Sequence, residues 1–104
     1  MTILSPSFKG QAVIEGAKNV NIINLVHVDT SEHSVILTAN LKQIIIKSRD
    51  NANLQIAFVL GESTTKYMTI PKGAVLELNG SDFTGKTLFI SANKASTTEL
   101  LELY

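Results

Sequence analysis

A chain of 104 residues makes one domain, long enough to bury roughly two-thirds of its unfolded surface without covalent staples. The absence of cysteine excludes a disulfide framework, a cysteine-type zinc site and a thiol nucleophile, and it suits a reducing compartment. Nine basic and nine acidic side chains cancel, which argues against nucleic acid or an anionic membrane as partner, and a charged fraction of 17% falls below the usual value of about 25%.

A surface so lightly charged must be covered by Ser, Thr and Asn, or hidden against other copies or partners. The first ten residues, MTILSPSFKG, lack a basic region followed by a long apolar stretch, and no run approaches about twenty apolar residues. The chain therefore reads as soluble, one β domain over residues 1–104 with a flexible start at 1–10.

Taken in order, the elements are short and extended: residues 11–15 (QAVIE), 20–28 (VNIINLVHV), 33–38 (HSVILT), 41–48 (LKQIIIKS), 54–60 (LQIAFVL), 66–70 (KYMTI), 74–78 (AVLEL), 86–92 (KTLFISA) and 98–103 (TELLEL). The turns between them have mechanisms. Asp29-Thr30-Ser31-Glu32 and the Arg49-Asp50-Asn51-Ala52-Asn53 stretch carry side chains that bond their own backbone two residues on. Ile70-Pro71-Lys72-Gly73 places Pro second and Gly fourth, as a type I turn prefers, and Asn79-Gly80 is a strong turn dipeptide. Alternation puts Leu54, Ile56, Phe58 and Leu60 on the core face of one strand, and Ile44 and Ile46 on that of another, opposite Gln43, Ile45, Lys47 and Arg49. The Ser96-Thr97-Thr98-Glu99 stretch matches a capping box, but too few residues follow for a stable helix, so a last strand with Leu101 and Leu103 inward is expected. Many short strands at intervals of roughly 8 to 12 residues predict an all-β fold, an antiparallel sandwich of jelly-roll type with about eight strands.

Residues 80–87 (GSDFTGKT) spell the phosphate-loop pattern G-x-x-x-x-G-K-[ST] in full. That loop works because backbone amides cradle phosphates at the start of a helix. Here Thr87-Leu88-Phe89-Ile90-Ser91 alternates with period two and reads as a strand, so a hairpin loop is expected in place of a nucleotide site.

His27, Asp29, Glu32 and His33 form the one group of ligand-type side chains, with His27, Asp29 and His33 able to converge on a metal if the turn folds back; a polar hairpin end is the plainer reading. Lys42, Lys47 and Arg49 make a basic face without the aromatics that a single-strand binder stacks on, so a solvated face is expected. There is no Trp, and Tyr67 and Tyr104 alone make a poor sugar platform. No serine lies in G-x-S-x-G, and the expectation is a non-enzyme with no cofactor and no resident metal.

The segments LKQIIIKSRDNANLQIAF, TIPKGAVLEL and GKTLFISANKASTTELLELY, together drawn from residues 41–104, resemble small virion structural proteins of tailed bacteriophages. None of them is a catalytic or ligand motif, so no functional residue transfers. The resemblance implies a β-sandwich that forms part of a particle as a decoration, head-fibre or tail component, commonly as a homo-oligomer beside other virion proteins. It also implies residence in the virion after assembly in the host cytoplasm. The alternative is a sandwich module that binds carbohydrate or a host surface through loop tips. Tyr67, Phe89 and Tyr104 are the candidate interface residues, on the enrichment of aromatics at interfaces.

Overall fold

The computed structural model describes residues 19–104. Eight strands are present: β1 (Val20–His27), β2 (His33–Ile36), β3 (Gln43–Ser48), β4 (Leu54–Ala57), β5 (Met68–Ile70), β6 (Val75–Asn79), β7 (Thr87–Ala92) and β8 (Ser96–Leu103). They correspond one for one to the strands expected from residue 20 onward. The strand expected at 11–15 and the flexible start at 1–10 lie outside the described residues.

The strands form two antiparallel four-stranded sheets, ordered β1-β8-β3-β6 and β2-β7-β4-β5. β1 pairs with β8, β2 with β7, β3 with β6 and β4 with β5, so the chain is a long hairpin doubled up and wrapped on itself, the jelly-roll arrangement. The β3–β8 and β4–β7 pairings close each half of that hairpin into a sheet.

The core lies between the sheets. Ile44, Ile46 and Leu100 from one sheet pack with Leu54, Ile56, Leu88 and Ile90 from the other, and Leu37 and Leu41 from the β2–β3 connection join them. β-branched residues fit this half-buried pleated surface, and each inward side chain alternates with one facing out. Ile45 and Leu103, on the outer face of β3 and β8, are buried too, but stand outside the inter-sheet cluster.

Two assignments of face need correction. β4 ends at Ala57, so Phe58 and Leu60 are exposed instead of inward. The chain leaves the sheet there: Phe58 stacks on Phe83 from the β6–β7 loop at 5.1 Å, and the Glu62 amide turns back to the Val59 carbonyl at 3.0 Å. β8 is a strand, but its inward residues are Thr98, Leu100 and Glu102, with Leu101 and Leu103 on the outer face. A shift of one residue exchanges the two faces of a strand entirely. The buried carboxylate that results is held by three donors, Asn21 Nδ2 at 2.9 Å, the Thr38 amide at 2.8 Å and Thr38 Oγ1 at 2.7 Å.

The turns follow their side chains. Asp29 Oδ1 accepts from the Ser31 amide and Asn79 Oδ1 from the Ser81 amide, at 2.8 and 3.1 Å. After β5 the closing bond runs from the Ala74 amide to the Pro71 carbonyl, one residue later than a turn with Pro in second place.

Candidate functional site

The phosphate-loop lookalike is the first place to look for chemistry. Residues 80–82 form a single 3-10 turn after β6, and Thr87 opens β7, a strand paired on both sides. Five of the amides in this stretch are spent on the protein itself. Gly80 donates to the Lys42 carbonyl (2.8 Å), Phe83 to Gly80 (2.9 Å), Gly85 to Thr38 (3.3 Å) and Lys86 to Phe83 (3.1 Å), while Ser81 donates to the Asn79 side chain. The two pattern glycines have structural causes. A Cβ on Gly80 would lie 2.5 to 2.7 Å from backbone atoms of Leu41, Lys42 and Gln43, and Gly85 adopts φ 70°. The loop is docked on the β2–β3 segment. The period-two pattern after residue 86 correctly marks the strand that follows, but the expected hairpin is corrected: β6 pairs with β3 in one sheet and β7 with β2 and β4 in the other, so the loop crosses between the sheets.

The histidine cluster divides. His27, at the end of β1, and His33, at the start of β2, both point between the sheets and meet edge to face with ring centroids 5.0 Å apart. His27 Nε2 lies 2.8 Å from Thr98 Oγ1, and its Nδ1 is buried with no partner among the described residues, as is His33 Nε2. Burial, and after it the neighbouring His33, holds His27 below its ordinary value. Asp29 stays outside, where the Ser31 hydroxyl and amide lower its carboxyl. Glu32 turns the other way and accepts from the Gly61 and Ser63 amides and from Ser63 Oγ, which lowers its carboxyl, the Ser63 hydroxyl most of all and burial opposing. Ser63 in turn meets Ser91 on β7. Glu32 therefore anchors the long β4–β5 loop across the outer face of its sheet. No group of three His, Asp or Glu side chains comes together as metal ligands among the described residues.

Two of the three side chains of the basic face are paired. Glu99 on β8 takes Arg49 at 2.9 Å and Lys47 at 3.5 Å, and Arg49 Nη2 also donates to Asn24 Oδ1 at 3.0 Å. Of the three aromatics expected at an interface, Tyr67 is exposed before β5, whereas Phe89 on the outer face of β7 and Tyr104 after β8 are each half-buried. They stand on separate elements.

Exposed apolar surface is found elsewhere. One set lies on β1 and just beyond it, at Val20, Ile22, Val26 and Val28; another, Phe58, Val59 and Leu60, follows the end of β4, while Ile36 and Met68 are exposed on β2 and β5, the two edges of the second sheet. Alternation in 20–28 marks the first set in the sequence, while the second was hidden by an alternation that runs on past the end of β4. No helix among the described residues is long and apolar enough to cross a membrane. No protein-family model matches the chain, and neither a curated protein nor a solved structure is significantly similar to it.

Proposed function

We propose that this chain is a non-catalytic structural subunit of a tailed-phage particle, assembling with copies of itself and with other virion proteins. The observation that carries the reading is the exposed apolar surface along β1, at Val20, Ile22, Val26 and Val28, and in the loop after β4, at Phe58, Val59 and Leu60, in a chain with only 17% charged residues. The largest apolar patch on a domain's surface is often a functional contact surface. The jelly roll is compatible with this role, being shared by capsid and lectin domains, although a fold alone assigns no function. The phage assignment rests on the resemblance of residues 41–104.

Mass spectrometry of purified particles tests the proposal. The chain is expected as a stoichiometric component that remains through density-gradient purification. Its absence from purified virions, while present in the infected lysate, refutes a structural role.

A further inference from the structure

We propose that β1 is a self-pairing edge, through which two copies of this chain join antiparallel about a two-fold axis at Asn24. The pairing gives the assembly reading above its first contact surface, and it rests on that reading.

The backbone shows which groups are available. Asn19 and Tyr104 exchange both of their backbone hydrogen bonds, at 2.7 and 3.0 Å, so the odd residues of β1 turn their N–H and C=O groups toward β8. Those of Val20, Ile22, Asn24 and Val26 then point the other way. No described strand lies on that side, because β1 is the outermost strand of its sheet. A row of evenly spaced backbone donors and acceptors, without partners among the described residues, is satisfied in full only by another extended strand.

The other three edges are guarded. β2 has four residues and β5 three, and β6 carries Glu77 in the middle of five. Short length and charge are the usual protections of an open edge. β1 has eight residues with neither a charge nor a proline. Its even-numbered side chains lie on the outer face with Val20 46%, Ile22 64% and Val26 59% exposed, and Val28 just beyond is 75% exposed.

A second copy is the occupant that this strand fits. With the axis at Asn24, Ile22 lies opposite Val26 of the other copy, Val20 opposite Val28, and the two Asn24 amides face each other. Even residues pair with even ones, so every free N–H and C=O of the strand finds a partner, and no like charges meet. Arg49 and Lys47, the cations beside this face, are already held by Glu99, and Arg49 fixes the Asn24 amide from within each copy. The four apolar side chains expose on the order of 400 Å² per copy, the size of a monomer's largest apolar patch. With the backbone edge they fall short of the roughly 800 Å² per partner of a standard interface, which places the pair at the weak, micromolar end.

Sedimentation velocity on the full chain from low to high micromolar concentration is the test, run beside Ile22→Lys and Asn24→Pro. The proline removes an amide that faces away from β8, so it leaves the β1–β8 ladder intact and blocks only the central bonds to a second copy. Wild type is expected to move from 11.3 kDa to twice that mass, and both variants to stay monomeric with unchanged circular dichroism. Variants that assemble like wild type overturn the pairing and leave the assembly reading standing on another surface. A wild-type chain that is monomeric throughout overturns the pairing as well, while presence in virions still decides the function. Should a variant fail to fold, hydrogen exchange on wild type decides: protection of the Val20, Ile22, Asn24 and Val26 amides must grow with concentration. Protection independent of concentration means that residues 1–18 or another part of the same chain cover the edge, and the proposal falls.

Discussion

Truncating Glu102, itself fully buried, to alanine strands three donors at once, Asn21 Nδ2, the Thr38 amide and Thr38 Oγ1, on half-buried residues. Both ion pairs among the described residues belong to Glu99, so hydrogen bonds alone hold this carboxylate. A hydrogen bond to a charged group contributes about 1.5–3 kcal/mol, and three of them would suggest twice the final figure. Relief from burying a charge offsets part of that, and the net loss expected is about 4 kcal/mol, in line with breaking a buried ionic contact. For a domain of this size that corresponds to a fall in Tm of at least about 15 °C. Glu102→Gln preserves the shape but turns an NH₂ toward a donor on whichever side it occupies, and should cost about 1–3 kcal/mol. Urea unfolding followed by circular dichroism measures both. An alanine variant within about 1 kcal/mol of wild type, or a glutamine variant equal to it, would refute the account of Glu102 as the acceptor that ties the β2–β3 connection to β8.

The remaining predictions concern the loops and the histidines. Gly80→Ala must push a methyl into the backbone of 41–43 and is expected to cost about 3 kcal/mol, whereas Gly85→Ala, strained only by its φ of 70°, should cost about 1 kcal/mol; equal losses in chemical denaturation would contradict the packing described. Millimolar Mg-ATP should leave the melting curve of the full chain where it was, since a ligand at a hundred times its Kd adds about 2.7 kcal/mol. His27 has a folded pKa below its ordinary 6.5, so between the two values the unfolded chain binds more protons and stability rises with pH. Its contribution is complete above pH 6.5 and is lost as the pH falls below it; a pH series of melts should show that slope, and His27→Gln should flatten it. Glu32→Ala should speed amide exchange at Gly61 and Ser63 with little change in global stability, and unaltered exchange would mean that the β4–β5 loop is held by other contacts.

Most of the strand set was legible because period two is a local signal. Residues 86–92 announce β7 so clearly that the phosphate-loop pattern before them yields to a plain connection between strands, although nothing local shows that it crosses from one sheet to the other. Where the sequence misled, the deciding contact was distant. In 98–103 hydrophobicity favours Leu101 and Leu103 inward, but Glu102 takes the inner face because Asn21 and Thr38, far away along the chain, supply its donors. Likewise nothing local ends β4 at Ala57. Its partner β5 begins only at Met68, which faces Ile56, and Phe58 finds Phe83 instead. The candidate site was legible only in part: the histidines do meet, but the faces of Asp29 and Glu32 depended on Ser31 and on a loop about thirty residues on.

The doubled-hairpin pairing also sets a timetable for synthesis. Each of β1 to β4 has its hairpin partner in the second half of the chain, and β1 has none among the described strands until β8, at residues 96–103, has left the ribosome. Pairings this far apart close slowly, and a nascent strand with an apolar face waits unprotected meanwhile. The chain is therefore expected to depend on rapid completion, and a pause in translation before residue 96 should divert it toward aggregates without altering a single contact of the finished fold.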